Sequence, residues 1–435
     1  MTPPGELVAG YGLYNFSVSE VHRPRTVDEL AALVRGLHGA GVPYRLRGNG
    51  RSYGDAALNP RGPVLDLSAL DQVLALDEET GVLRAQAGAT FETLWRHALP
   101  RGFWPPIVPG TMHVTLGGAL AMNIHGKNGW RRGTLGEHVE SLTVLDERGE
   151  PLAFRRGDPR LLSVISNFES PRPIVEVALT MKHVETGFVD VEARPTRTLA
   201  EALELLDAEK ERWEYLVGWL DCFPSGRGLG RGALHFANYH PWDGVSDRGL
   251  GLETQLAGRL SDRIPKGLML AFLRAMAFDS GMRFTNLGKF AVHRLGGTKR
   301  YREALVAYSF LLDFVPDWRE MYRPGGFIQY QLFIPRERAL AALTQAIRWQ
   351  QELDVVTYLA VLKRHREDRY PGPLANSYVR DGYSLALDFP VTPRNASRLI
   401  QLCRRFDALV LENGGGFYRA KDCVGSWERA RARAS

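Results

Sequence analysis

The sequence predicts an α+β fold in two domains, and three observations carry that reading. At 435 residues the chain is long enough to bury two substantial cores. Segments of helical period alternate with short apolar strands along its length, without an internal repeat. Glycine-bearing turns crowd into the first third, each beside a short apolar segment. Residues 1–184 are expected to form one domain. Residues 185–416 are expected to form a second, α+β domain around an antiparallel sheet, and 417–435 to return to the first.

The elements follow in order. Residues 28–38 (DELAALVRGLH) space apolar side chains for a helix, with Thr26 as cap and Glu29 completing a capping box. A turn at Gly41 leads into a strand over 42–46. Residues 64–66 and 74–87 read as short strands, 91–99 as a helix, and 174–179 (IVEVAL) as the last strand before the boundary. Beyond it lie strands at 189–192 and 215–220, a helix at 199–212, a strand at 327–334, a helix at 337–351 and a strand at 384–389. The biased stretch 428–435 (ERARARAS) is expected to fray.

Composition excludes several classes. Hydrophobic residues at 44% and charged residues at 24% mark an ordinary globular chain. Residues 1–20 lack the pattern of a signal peptide, and no apolar run approaches the ~20 residues of a membrane helix. A cytoplasmic protein is expected, at most peripheral at the inner face of the membrane. The apolar, basic-flanked stretch 266–283 reads equally as a buried helix or an interfacial one. The net charge of +6 comes from dispersed arginine rather than a basic face with interleaved aromatics, so nucleic acid is not an expected partner. Cys222, Cys403 and Cys423 form neither a disulfide framework nor a metal knuckle, and no metal is expected.

Chemistry concentrates in four motifs: GNGRSYGD at 48–55, PGT at 109–111, TLGG at 115–118 and NIHGKN at 123–128. Glycine lets backbone N–H groups approach a phosphate that side chains would block. Together the turns predict a cradle for a large diphosphate cofactor. The first cluster, with Asp66 behind it, mimics a nicotinamide-binding turn. Such a turn must open straight into a helix, however, and Pro60, Gly62 and Pro63 leave no room for one. Lysine gives a separate pointer. The chain has eight lysines against 47 arginines, so a lysine marks a place where a tunable proton matters. Gln329 and Gln331 flank Tyr330, and on a strand both amides share one face.

In this order the motifs resemble the FAD-binding domain of the vanillyl-alcohol-oxidase/p-cresol-methylhydroxylase (PCMH-type) superfamily. IHGKN, FIQYQ at 327–331, YRAKD at 418–422, WLD at 219–221 with the glycines of 226–232, and LALDFP at 385–390 are similar to one branch. That branch contains the decaprenylphosphoryl-β-D-ribose 2'-oxidases, and the likeness runs over about 15–423. The resemblance implies FAD held by Arg47, Gly48, Asn49, Gly50, Arg51, Ser52, Tyr53, Gly54 and Asp55. Gly110, Thr115, Gly117, Gly118, Asn123, Ile124, His125, Ile174 and Tyr418 would complete the set. Residues 50–53 contain no histidine to join the flavin, which implies non-covalent FAD.

Lys127, Trp219, Gln329, Gln331, Lys363 and Ser384 fall by resemblance to the substrate, and Lys421 to its reacting hydroxyl. The implied reaction oxidises a secondary hydroxyl of a sugar by hydride transfer to flavin N5. A polyprenyl-phosphate pentose is the expected substrate, oxidised at its 2' carbon in an epimerisation that feeds cell-wall arabinose. A short-chain reductase is the expected partner. An aldonolactone or alditol oxidase is the rival, and a non-catalytic flavin- or lipid-binding scaffold the reading of another class.

The chain departs from the family pattern in three places. Residues 166–173 lack the usual glycine turn, which is expected to weaken FAD binding. Relatives continue past the lysine motif for several dozen residues more. Ala386 stands where members of the branch can carry cysteine, and the implied hydride transfer needs no thiol there.

Overall fold

The computed structural model describes residues 5–60, 62–170, 172–256, 266–313 and 317–422. Expectations for Pro171, Cys423 and 428–435 lie outside the described residues. The α+β class holds. A four-stranded mixed sheet comes first, in the order Glu6–Ala9, Phe16–His22, Pro63–Asp66, Arg45–Arg47. The helix Val27–Gly39 belongs to the same cluster as the sheet's Leu65, through Leu30, Ala31 and Val34. Thr26 Oγ1 caps it, accepting from Glu29 N–H at 3.1 Å. The capping box is shifted by one residue, because the Glu29 carboxylate accepts from Arg25 N–H at 2.7 Å rather than from the cap itself. No helix follows the Arg45–Arg47 strand, only loop among the described residues up to Gly62, so a nicotinamide-type turn is excluded.

A five-stranded antiparallel sheet follows, ordered Val73–Asp77, Val82–Gln86, Ile174–Thr180, Val139–Leu145, Pro151–Arg155. The apolar run at 74–87 splits into a hairpin because Asp77 Oδ1 accepts from the Glu79 and Thr80 N–H groups and Gly81 takes φ +70°. Helix Phe91–Ala98 buries Phe91, Leu94, Trp95 and Ala98 in the same core. That core continues into Val189, Val191, Tyr215 and Leu305, beyond residue 184, so the two halves share apolar contacts.

The third sheet has eight antiparallel strands among the described residues. Their order is Lys299–Ala304, Phe188–Thr196, Gly232–Tyr239, Tyr215–Leu220, Leu359–His365, Gly382–Pro390, Phe327–Pro335 and Gly416–Phe417. Side chains alternate across its pleat. One face presents Leu216, Leu234, Phe236, Leu362, Leu385, Leu387 and Leu332 to helices Leu199–Glu209, Arg336–Glu352 and Ala396–Glu412. The opposite face carries Trp219, His235, Lys363, Ser384, Asp388, Gln329 and Gln331, and it turns towards the first domain. After its last short strand, residues 418–422 run back to the first glycine loop. There Tyr53 N–H donates to the Ala420 carbonyl at 2.9 Å.

Candidate active site

The glycine turns converge on an open cavity of about 1250 Å³. Arg47, Gly48, Asn49, Gly50, Arg51, Ser52 and Tyr53 line it, with Gly110, Thr115, Gly117, Gly118, Ile124, Ile174, Tyr418 and Lys421. A Cβ on Gly48 would collide with the Thr115 side chain, and Gly50 sits at φ +61°, so both positions need glycine for the loop to lie as it does. The buried Nε–H of Arg51 and amide nitrogen of Asn123 have no hydrogen-bond partner among the described residues. A concave site lined by glycine turns, with the unpartnered Nε–H of Arg51 beside it, suits a dinucleotide diphosphate.

Four of the residues expected to contact the cofactor do not line this cavity: Gly54, Asp55, Asn123 and His125. Gly54 packs on Asp422, where a Cβ would come within 2.9 Å of Oδ1. Asp55 closes a turn through its carbonyl, which accepts from Leu58 N–H at 2.9 Å. Asn123, at φ +44°, accepts through Oδ1 from Gly136 N–H at 3.0 Å and from the Tyr370 hydroxyl at 3.2 Å. His125 lies behind Tyr418, with ring centroids 5.2 Å apart. The contacts given are those each of the four makes within the protein, and a motif cannot tell a lining position from the one beside it.

The glycine-free stretch nevertheless reaches the cavity. Asn167, Phe168, Ser170 and Arg172 line the cavity. Ser166 adopts the left-handed conformation, φ +60°, that a glycine would otherwise supply. Hydrogen bonds in both directions hold it there, from Ser166 Oγ to the Asn376 carbonyl at 2.9 Å and from Asn376 Nδ2 back to the Ser166 carbonyl at 2.7 Å.

Lys421 enters the cavity from the sheet side, its Nζ 3.8 Å from the centroid of the Tyr53 ring. Asp422 fixes this segment, pairing its backbone N–H with the Gln329 carbonyl at 2.9 Å and its carboxylate with the Gln329 N–H at 3.0 Å. Burial pushes the Lys421 ammonium far below the usual lysine range, while the nearby Asp388 and Asp422 pull it back. Burial pushes the Asp388 carboxyl up, opposed by a hydrogen bond from Gln329 Nε2 and by Lys421. Asp388 Oδ2 is buried without a hydrogen-bond partner among the described residues.

Beside this pair the register sets Lys363 opposite Ser384, and Gln331 opposite Ala386. Gln331 Nε2 donates to Ser384 Oγ at 3.1 Å and faces His125 Nε2 at 3.1 Å. Ser384 Oγ is 2.8 Å from His365 Nε2. The imidazole tautomer sets which of these two atoms donates, and burial holds both imidazoles neutral. Lys363 is half-buried, and loss of water lowers its pKa to about 8. Lys127 is lowered to about 7 by burial and by Lys363, and its ammonium donates to the Tyr308 carbonyl. Trp219 stands three strands from Gln331, roughly 14 Å at the ordinary strand spacing, so the polar face is elongated.

Sequence reasoning missed Asp388, His365 and Lys289. Lys289, from helix Asp279–Gly296, sets its Nζ 4.2 Å over the Trp219 ring. The scarcity of lysine pointed to it, but no motif did. His365 was reachable, since it shares a strand and a face with Lys363.

A family model described as an FAD binding domain matches residues 18–155. Over 400 residues the chain is 28% identical to decaprenylphosphoryl-beta-D-ribose oxidase of Mycolicibacterium smegmatis, covering 90% of this chain and 83% of that protein. The chain thus carries an FAD binding domain and is an FAD-dependent oxidoreductase. More partial likenesses extend to other oxidoreductases. L-gulono-1,4-lactone dehydrogenase of Mycobacterium tuberculosis is 28% identical over 163 residues, 38% of this chain and 36% of that one. Alditol oxidase of a Streptomyces species is 25% identical over 173 residues, 39% of this chain and 40% of that one. The cofactor is therefore FAD, and Gly48–Tyr53, Thr115, Gly117, Gly118 and Tyr418 line the cavity described above.

Proposed function

We propose that this oxidoreductase acts on a secondary hydroxyl of a sugar, and that its substrate class is a polyprenyl-phosphate pentose. The observation that carries the reading is Lys421, which reaches the FAD cavity from the sheet face bearing Gln329, Gln331, Ser384 and Lys363. FAD, when bound, supplies the two-electron acceptor for the hydride of the carbinol C–H. The chain's own residues govern the proton. Lys421 and Asp388 share one transferable proton, whether as ammonium with carboxylate or as amine with carboxylic acid. The pair, neutral with that one proton, can orient a substrate hydroxyl and receive its proton; the ammonium and carboxylic acid that result carry one positive charge, which would offset the negative charge that a hydride brings to FAD.

Gln331 directs its amide hydrogens to His125 and Ser384, which leaves Oε1 to accept from a sugar hydroxyl. Farther along the face, Lys363, Lys127, Lys289 and His235 influence one another, and Glu303 is the carboxylate acting on Lys127. Such an elongated, cationic strip suits a sugar followed by a phosphodiester better than a small neutral polyol. The relative named for a polyprenyl-linked sugar also matches 400 residues, against 163 and 173 for the lactone and alditol enzymes. Among the described residues lining the cavity none is histidine or cysteine, which favours non-covalent FAD. A separate short-chain reductase would return the keto sugar to an epimeric alcohol.

The test is anaerobic mixing of the yellow holoenzyme with a short-chain polyprenyl-phosphoryl ribose, with an aldonolactone and with an alditol. Bleaching of the flavin by the first alone is expected. Bleaching only by the lactone or alditol overturns the substrate class. Acid precipitation should release the flavin, and flavin retained in the pellet overturns the non-covalent reading.

A further inference from the structure

Helix Asp279–Gly296 turns its apolar side outward. Its inner side buries Met282, Asn286 and Phe290, holds Lys289 over Trp219, and sets His293 5.7 Å from His235. Its outer side carries Phe284, Leu287, Val292 and Leu295, spaced to form one stripe, with Phe284 70% and Leu295 89% exposed. The preceding helix, Lys266–Met276, adds exposed Leu268 and Phe272 one turn apart, and exposed Phe278 joins the two. Scattered apolar residues are normal on a protein surface, whereas seven large ones on adjoining helices are a patch that calls for a partner.

The surroundings of the patch select that partner. Apart from the inward Lys289, residues 268–299 contain Arg274, Arg283, Arg294 and Lys299 against a single acidic residue, Asp279. An apolar stripe flanked by cations is complementary to a surface that is anionic at the headgroups and apolar just beneath. Among the described residues no helix is long and apolar enough to cross a membrane, so contact would be made lying in the interface. The same helix borders the substrate strip through Lys289, which would place the mouth of that strip at the lipid surface.

We propose that the outer face of these two helices docks on an anionic lipid bilayer, with Phe284, Leu287, Val292 and Leu295 entering the headgroup boundary. Docking needs no substrate, so it stands or falls separately from the identity of the sugar. FAD-loaded full-length protein is sedimented with vesicles of phosphatidylglycerol and phosphatidylcholine, and with phosphatidylcholine alone. Binding to the anionic vesicles, weakened by added salt, is expected. A Phe284→Gln/Leu287→Gln/Leu295→Gln variant should lose at least about ten-fold in vesicle partitioning. Its thermal midpoint and flavin spectrum should be unchanged, because the three side chains are exposed. Failure of the wild type to sediment with anionic vesicles overturns the proposal, as does a variant that partitions like wild type. Size-exclusion chromatography covers the remaining outcome. A wild-type dimer that the variant converts to monomer would make the face a self-association surface and overturn membrane docking.

Discussion

The two faces of the eight-stranded sheet are built from the same strands in the same register, yet they do opposite work. In Leu359–His365, Leu362 points into the helix-covered core while Lys363 points to the cofactor side. In Gly382–Pro390, Leu385 and Leu387 alternate with Ser384 and Asp388. The helix face gains from every group it removes from water, whereas the other face keeps lysines and a carboxylate in surroundings that penalise their charge. That penalty is tolerated because the first face supplies the stability. The difference teaches that function here sits on the less favourable side of a well-packed layer.

The comparison breaks most sharply at Leu362→Ala. A fully buried leucine of the helix face should cost about 2–5 kcal/mol, read from the denaturant midpoint, with the flavin spectrum of the folded fraction unchanged. Equal stability would show that this face is not the one carrying the fold. Lys421→Met tests the other side. Flavin content should stay near wild type while the reductive half-reaction slows by about 10² or more. An unchanged rate would remove Lys421 from the chemistry, and lost flavin would make its role structural.

Lys363→Met sharpens the cost of the polar face. Its folded-state pKa is about 8, against about 10.4 for an ordinary lysine. The unfolded chain therefore binds more protons between these values, so stability from this site rises with pH across the window and is lowest below about 8. The variant should melt higher than wild type at pH 7, with the gap closing towards pH 10, while substrate affinity falls. A lower melting point at pH 7 would show that the lysine is held by a favourable partner. The smallest effect is expected at Ser166→Gly. Relief of the left-handed backbone and loss of the bond to Asn376 oppose each other, so stability should move by no more than about 1 kcal/mol in either direction. A larger loss would assign the turn to the side-chain hydrogen bonds rather than to its backbone shape.

Much of the site was legible in one dimension because its parts are local. Gly48 and Gly50 announce a backbone brought close to something bulky. Lysine is scarce enough that all eight stand out, the resemblance of YRAKD picks Lys421 from among them, and Gln329 with Gln331 declares a common face by alternation alone. Asp388 was not legible as part of the site, because its partners Gln329 and Lys421 lie 59 and 33 positions away and only strand register joins them. The expected strand at 74–87 was a hairpin, since the turn chemistry of Asp77 to Gly81 overrode the apolar pattern. The stretch 266–283 was open between a buried helix and an interfacial one, and hydropathy cannot decide which side of a helix its neighbours cover.

By itself the sequence determined the α+β class and the glycine cradle with its diphosphate cofactor, because each rests on local chemistry or on the period of short segments. Tertiary structure alone decided which motif residues line the cavity and which do not. It also decided that Ser166 does the work of a glycine, that Asp388 is buried beside Lys421, and that one helix faces water with its apolar side. Those outcomes depend on distant segments meeting, and burial, which sets both proton affinity and packing, exists only once they have met.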